Sequence, residues 1–367
     1  MSTLSLCMIV KNEEKNVKRC LESAAHIANE IIIVDTGSTD RTKEVCQMFG
    51  ATVYDYEWME DFSAARNFCI GKASSDWILW LDADEEFIGG SSAIQEALKQ
   101  ERIDLYSIQL RHLTEGEGEE AGSYLSYHHR LFRNYKGFYF QGTIHERLAP
   151  PKALSSLEPV VINSVRINHY GYQQKDSAVK SLRNLKLLIK EKEKEKENPW
   201  LDYHISTELY RLKDISRAYY FVNHAITLFV ARNLLPPALA YKLKYDIIVN
   251  YASLEHAGQG IDRALELYPD YVELHFYKGR ILFHQKSYEE GIKVFTHCIV
   301  LGEYHPEYLI QAGNGSFNAY YYIGKGYEAL NKPEYAKEAY RQSLLSNPNF
   351  KPSLQRLESL TRQEVVQ

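Results

Sequence analysis

Asp76-Trp77-Ile78-Leu79-Trp80-Leu81-Asp82-Ala83-Asp84-Glu85-Glu86 decides how the first half of this chain folds. The run from Trp77 to Leu81 is apolar throughout and has the length of a buried strand. It closes on two carboxylates one residue apart. Asp82 and Asp84 would present hard oxygens at the end of a strand, where open α/β sheets place their ligands. Such oxygens suit Mg²⁺ or Mn²⁺, an ion that commonly carries a diphosphate with it. Strand ends and turns are also rich in aspartate for conformational reasons, so the surrounding sequence has to decide between the two readings.

Residues 3–10, Thr-Leu-Ser-Leu-Cys-Met-Ile-Val, form another mostly apolar run suited to a buried strand. Asn12 is placed to cap a helix reaching about Ile27, with Val17, Cys20, Leu21 and Ala24 on its apolar face. Ile31–Val34 is β-branched, hence a second strand, and Thr52–Tyr56 a third. Helices are expected near 41–49, over Phe62–Lys72 and near 91–101. Strand–helix alternation with short loops predicts a parallel, doubly wound sheet. From about residue 103 to 170 the pattern changes to short β-like runs, Leu105–Leu110, Tyr127–Phe132, Gly137–Phe140 and Val160–His169, joined by loops such as Glu115–Glu119. These are expected to complete the same domain as mixed or antiparallel strands.

In a parallel sheet the first two strand ends, Val10-Lys11-Asn12-Glu13-Glu14 and Asp35-Thr36-Gly37-Ser38-Thr39-Asp40, lie side by side. Both carry acceptors able to read a base and a ribose. Asp35 is suited to accept from a uracil-type N–H and Glu13 from a ribose hydroxyl. Ser38, Thr39 and Asp40 read better as helix caps.

The chain has 367 residues, enough for two or three domains, with 45% hydrophobic and 13% aromatic residues to build cores. Net charge of −5 argues against broad electrostatic binding of nucleic acid or anionic membrane. Cys7, Cys20, Cys46, Cys69 and Cys298 show no C-x-x-C pair and read as small buried thiols of a reducing compartment. No signal peptide and no stretch of about 18 apolar residues is read. A cytoplasmic protein without a transmembrane anchor is the expectation.

Residues 174–198 read as a charged helical linker, its Glu191–Glu197 run taken as a solvated face with i,i+4 pairs. Beyond it the chain is helical and repetitive. Tyr320, Ile323, Gly324, Tyr327, Ala336, Tyr340, Ser343 and Pro348 match the tetratricopeptide pattern. Gly279, Leu282, Gly291, Phe295 and Cys298 give a preceding unit. Tyr241, Tyr245, Ile248, Ala257, Ile261, Ala264 and Pro269 give another, and Ser206, Leu209, Ala218, Val222 and Ala225 a weaker one. Four stacked helical hairpins are expected, with an insertion near Tyr304–Ser316.

The ordered series Met8-Ile9-Val10-Lys11-Asn12-Glu13, Ile32-Ile33-Val34-Asp35-Thr36-Gly37-Ser38-Thr39-Asp40, Asp61-Phe62-Ser63-Ala64-Ala65-Arg66-Asn67 and Trp80-Leu81-Asp82-Ala83-Asp84-Glu85 resembles the family 2 glycosyltransferases of GT-A fold, over residues 3 to about 170. The resemblance implies a Rossmann-like mixed α/β sheet followed by an all-α tetratricopeptide-like domain, divided as 1–173, 174–198 and 199–367. It implies Asp84 as the metal ligand, Asp82 on the ribose side, and Val10, Asn12, Glu13, Asp35 and Arg66 as further nucleotide-sugar contacts. A structural pair with Asp61 is the alternative for Arg66. Gly142-Thr143-Ile144-His145-Glu146 resembles an x-H-E motif of one subgroup, and Asn168-His169-Tyr170-Gly171-Tyr172 the H-x-G-Y that follows it there. Glu146 is then the leading base for the acceptor proton, His145 the second candidate, and His169 a further metal or diphosphate ligand.

A GT-A domain followed by tetratricopeptide-like helices is similar to the S-glycosyltransferases that modify a cysteine of glycocin-type bacteriocins. The resemblance implies an inverting, Mg²⁺- or Mn²⁺-dependent transfer of a hexose from a UDP-sugar to a peptide or protein side chain, a cysteine thiol among them. The competing expectations are a cell-envelope glycan or lipopolysaccharide acceptor and a catalytically inactive scaffold that binds partners through its repeats. The aromatic cluster Tyr320-Tyr321-Tyr322 has two readings, a homodimer surface or filling of the repeat core.

Overall fold

The computed structural model describes residues 2–113, 123–154, 156–171, 177–251 and 260–365. Tyr172, Ala257 and the Glu115–Glu119 loop lie outside them. The chain forms two compact units, Met1–Leu113 with Ser126–Glu191, and Thr114–Leu125 with Lys192–Gln367.

The first unit runs β1 (Leu4–Val10), α1 (Glu14–Ala24), β2 (Glu30–Asp35), α2 (Thr42–Met48), β3 (Thr52–Asp55), α3 (Phe62–Ile70), β4 (Trp77–Trp80), β5 (Glu85–Gly89), α4 (Ser91–Leu98), β6 (Leu105–His112), β7 (Tyr124–Arg133), β8 (Tyr139–Gln141), β9 (Arg147–Ala149), β10 (Val160–His169) and α5 (Ser177–Lys194). The sheet order is β3-β2-β1-β4-β7-β6-β10-β5. β3, β2, β1 and β4 are mutually parallel. β7 then joins β4 antiparallel, and β5 joins β10 antiparallel. The sheet is thus mixed, with the doubly wound half first, as the change of pattern after residue 103 predicts. Its strands read as continuous apolar runs because both faces are covered. Leu4, Leu6, Met8 and Val10 pack with Val17, Cys20 and Leu21 of α1. Cys7, Ile78 and Trp80 point the other way, toward Cys69 of α3 and Phe140. Trp77 and Trp80 are fully buried, one in each core.

One local expectation is corrected. Asn12 does not cap α1; Glu13 occupies the cap position, its side chain accepting from the Asn16 side chain and not from a backbone N–H of the first turn. Asn12 has φ 54° and turns its side chain to the neighbouring loop. Glu85 and Glu86 begin a further strand, β5, that the sequence reading did not include, so Asp82-Ala83-Asp84 forms a tight turn between two strands.

The second unit contains α6 (Pro199–Arg211), α7 (Ile215–Ala231), α8 (Ala238–Tyr251), α9 (Ile261–Leu267), α10 (Val272–His284), α11 (Tyr288–Leu301), β11 (Ile310–Gln311), α12 (Phe317–Ala329), α13 (Pro333–Ser346) and α14 (Lys351–Val365). The helices pair in order as tetratricopeptide-like hairpins, with α14 at the end. The repeat glycines have a steric cause. A Cβ on Gly279 would lie 2.6 Å from the Phe295 ring, and one on Gly324 2.5 Å from Tyr340, at the same offset in two hairpins. Tyr322 stacks on Phe295, and Tyr321 packs on Tyr340 and Phe350, so these tyrosines fill the repeat packing. The Glu191–Glu197 run is not a wholly solvated helix. α5 stops at Lys194, and Lys192 reaches the fully buried Asp202 at 2.5 Å, where His224 also bonds.

The insertion after α11 folds back onto first helices of the pairs. β11 pairs antiparallel with Tyr124 and Leu125. Fully buried Glu273 of α10 accepts from Gln311 N–H at 2.7 Å and Asn314 Nδ2 at 2.9 Å. Lys242 of α8 sits 4.8 Å from the Tyr124 ring centroid. The chain itself therefore covers this face of α8 and α10, which is not an open groove. Burial pushes the Glu273 carboxyl up to about 7, although Lys242 opposes the shift. An unfolded glutamate titrates near ~4.3, so the folded unit holds this proton more tightly. The stability it contributes is full below about pH 4 and declines as pH rises through about 7. Glu273→Gln is expected to flatten that decline, checked by comparing urea midpoints of both proteins at about pH 5 and about pH 7.5.

Candidate active site

Parallel pairing places the strand ends together. Val10 lies opposite Asp35 in the β1–β2 register, and Cys7 opposite Trp80 in the β1–β4 register. The tight turn after β4 is held from inside. Asp82 N–H donates to Glu85 Oε2 at 2.9 Å, and Glu85 N–H to the Asp82 carbonyl at 3.0 Å. Arg130 of β7 lies 3.3 Å from Asp82 and ion-pairs with the buried Glu85. Asp82 also accepts from Trp80 Nε1 at 3.2 Å and from Arg66 at 2.9 Å. Burial alone would raise its carboxyl, but Arg66 and Arg130 outweigh that and hold it far below the usual range.

Helix α3 explains the Ser63-Ala64-Ala65-Arg66-Asn67 motif residue by residue. Asp61 caps it by accepting from Ala64 N–H at 2.9 Å, so it is not the partner of Arg66. Ser63 donates to the Gly142 carbonyl at 2.6 Å. Asn67 clamps the Phe140 backbone, accepting from its N–H at 2.7 Å and donating to its carbonyl at 2.8 Å. These bonds fix the β8–β9 hairpin, whose tip carries Gly142-Thr143-Ile144-His145-Glu146. Arg66 then bridges Asp82 to Glu146, 2.5 Å from its Nε, with its plane over Trp80 at 4.6 Å and Phe140 at 5.2 Å. His145 lies at φ 53°, a left-handed conformation that is uncommon outside glycine.

On the other side of the turn, His169 at the end of β10 stands between β5 and β6, in register with Glu85 and His112. Its Nε2 is 3.5 Å from Asp84 Oδ1, and its Nδ1 is 2.9 Å from His112 Nδ1. His112 in turn meets Ser126 Oγ at 2.8 Å. Burial opposes the charged imidazole, but Asp84 more than offsets it and raises the His169 pKa. Asp84 is held low in return, His169 overcoming the penalty of burial. Gly171 makes room for this pair: a Cβ there would lie 2.6 Å from His169 Nε2 and 2.7 Å from Asp84 Oδ2. Tyr170 anchors the strand end, donating to Glu86 at 2.6 Å beneath the Arg19 guanidinium.

The β1–β2 edge forms a third part. Asp35 is 2% exposed, and its Oδ2 accepts from Gly37 and Ser38 N–H at 3.1 and 2.9 Å. Its Oδ1 is buried with no partner, an arrangement that leaves one acceptor for a ligand N–H. Asn12 Oδ1 accepts from Thr39 N–H at 2.7 Å, and Ser38 Oγ accepts from Asn12 N–H at 2.9 Å, so the two loops brace each other. Ser38 and Thr39 thus bind across loops, whereas Asp40 accepts from Thr42 N–H at 3.0 Å, next to α2. The Val10 carbonyl accepts from both Thr36 N–H and Thr36 Oγ1, seating the second loop. Glu13 accepts from Asn16 Nδ2 at 2.8 Å, and burial raises its carboxyl.

Among the described residues no group of three His, Cys, Asp or Glu side chains comes together as a ready-made ion site. Asp84 and His169 offer a carboxylate and an imidazole, a donor set that fits Mn²⁺ or Mg²⁺ completed by phosphate oxygens and water. Glu85, Arg130, His112 and Lys180, whose Nζ is 3.6 Å from Asp84 Oδ2, escaped the sequence reading. Only Glu85 carried a local signal, its place beside the aspartates. Arg66→Met would leave Asp82 and Glu146 short of their common cation. A loss of about 3 kcal/mol is expected in urea unfolding followed by tryptophan fluorescence, with a smaller loss for Arg66→Lys, which keeps the charge but not the fork.

Residues 5–150 match the model of glycosyl transferase family 2. A TPR repeat-containing protein of Synechococcus elongatus is 33% identical over 73% of this chain and 65% of its own length. The SPbeta prophage-derived glycosyltransferase SunS of Bacillus subtilis is 31% identical over 61% of this chain and 53% of its own length. An uncharacterized glycosyltransferase of Rickettsia typhi is 32% identical over 32% of this chain and 41% of its own length. The chain thus spans under two thirds of each of these relatives. No described helix is long and apolar enough to cross a membrane. The mixed sheet is of GT-A type and the hairpins are tetratricopeptide-like, and residues 5–150 are a glycosyl transferase family 2 domain.

Proposed function

We propose that this chain is an inverting glycosyltransferase that moves a hexose from a UDP-sugar, with Mg²⁺ or Mn²⁺, to a peptide or protein side chain. The observation that carries the reading is the pair of Asp84 and His169, 3.5 Å apart with Gly171 leaving them room, beside the Arg66-bridged Asp82 and Glu146. A divalent ion bound there would neutralise the donor diphosphate and the charge that builds on it as the leaving group departs. Asp84 and His169 would hold that ion.

Asp35 receives the uracil N–H on its unpartnered Oδ1, and the Asn12–Thr39 brace keeps the base slot in shape. Asp82 faces the ribose side, oriented by Arg66 and Arg130. Transfer forms a bond from the acceptor oxygen or sulfur to the anomeric carbon and breaks the bond from that carbon to the diphosphate oxygen, with inversion. The acceptor proton goes to Glu146 or to His145 beside it. Arg66 orients the Glu146 carboxylate and supplies a nearby cation. A thiol acceptor, with a pKa of about 8.5, needs little help from a base. The helical repeats favour a peptide acceptor, since stacked hairpins commonly bind extended chains. The face of α8 and α10 already covered by residues 123–125 and 309–314 is not the docking surface.

The test is incubation with a panel of UDP-sugars and Cys- or Ser-bearing peptides, read by intact mass. No mass gain and no donor hydrolysis with any of them sinks the enzyme reading; transfer only to glycan or lipid-linked acceptors moves it to the cell envelope. Asp84→Asn is expected to abolish Mn²⁺-dependent donor hydrolysis while the thermal melt persists. Asp35→Ala is expected to weaken UDP binding by roughly tenfold, the size of one good hydrogen bond to a charged group, as read by calorimetry.

A further inference from the structure

Lys180, in the first turns of α5, takes no part in that reading. Its Nζ lies 3.6 Å from Asp84 Oδ2, while His169 Nε2 lies 3.5 Å from Asp84 Oδ1. An ammonium and an imidazole thus occupy opposite oxygens of one carboxylate. The Asp84 side chain is 13% exposed and that of Lys180 35%, so the ammonium is the partner with an open route to solvent. Glu13 lies within the same field: burial raises its carboxyl, Asp84 raises it further, and Lys180 opposes both. Among the described residues no acid stands in the first turn of α5. A lysine there is disfavoured by the helix dipole, and it is held by Asp84 from across the fold.

A divalent cation on Asp84 and the Lys180 ammonium at its present distance are like charges competing for the same carboxylate. Lys180 sits on a flexible four-carbon stem and is a compact point charge, the kind of group that binds phosphate without demanding a fixed geometry. We propose that Lys180 is a cationic placeholder. It pairs with the Asp84 carboxylate, would yield it to a divalent ion, and would move onto the diphosphate that such an ion carries. The inference rests on the reading of Asp84 and His169 as ion ligands. It adds that this chain couples ion and nucleotide binding through one mobile side chain.

Two equilibria then move in opposite directions when the charge is removed. In Lys180→Met, Mn²⁺ alone meets no competing cation and binds several-fold more tightly. UDP at saturating Mn²⁺ loses a charge-assisted contact and binds on the order of tenfold more weakly. Lys180→Arg keeps the cation and retains most of the UDP affinity. The experiment titrates the full chain, wild type and both variants, with Mn²⁺ followed by electron paramagnetic resonance of the free ion, then with UDP by calorimetry. Opposite shifts in Lys180→Met support the placeholder. Unchanged affinities, or both weakened together as for a merely structural lysine, overturn it. If the wild type binds neither Mn²⁺ nor UDP, the ion-site reading itself falls, and this inference with it. A wild type that binds both while Lys180→Met is indifferent overturns this inference alone.

Discussion

The Arg66 guanidinium, packed against the Trp80 and Phe140 rings and bridging Asp82 to Glu146, is the interaction on which the rest of the candidate site depends. A buried cation needs carboxylates to offset the loss of water, and here the two carboxylates come from different parts of the chain. One ends β4 and the other tops the β8–β9 hairpin. Satisfying one guanidinium therefore ties the candidate ribose-side aspartate to the candidate base. Arg130 repeats the device one layer deeper by joining Asp82 to Glu85. The turn bearing Asp84 is held rigid from beneath, while Asp84 itself keeps softer partners, His169 and Lys180. Short pairs position the turn, and longer ones stand at Asp84.

The second unit uses the same physics for another end. Glu273, Lys242 and Asp246 are buried charges on the first helices of the repeats. Glu273 is satisfied by the backbone and side chain of the insertion, at Gln311 and Asn314. Asp246 accepts from Tyr210 and Asn250 at 2.9 and 2.8 Å. Polar groups that a binding groove would offer to a guest are here met by the chain itself. This face of the repeats is closed by the chain's own residues.

Much of the first unit was legible because strands buried on both faces cannot hide their composition. The apolar runs at Leu4–Val10, Ile31–Val34 and Trp77–Trp80 and the turn residues that end them gave the parallel half and its carboxyl edge. The candidate residues Asp35, Asp82 and Asp84 sit at or just beyond those ends, so their place in the fold follows from position alone. Asn12 was misread as a cap because cap preference is a local tendency, and a bond to Thr39 across the loops overrode it. Arg66 was seen as functional, but its partners, Asp82 and Glu146, lie too far away in sequence for any local rule. The repeat glycines, by contrast, were legible as a pattern whose cause, the Phe295 and Tyr340 rings, came only with packing.

The sequence by itself determined most of the order of elements, β5 and β9 excepted, the mixed sheet followed by helical hairpins, and which carboxylates end which strands. These follow from periodicity and turn chemistry, which act over a few residues. Only the tertiary structure decided who pairs with whom: Arg66 with Glu146, His169 with both Asp84 and His112, Glu273 with the insertion, and Lys180 with Asp84. Charge pairing is a matter of distance in space, and burial is what strengthens the Arg66 and Glu273 pairings. Neither distance nor burial is written in the local order of residues.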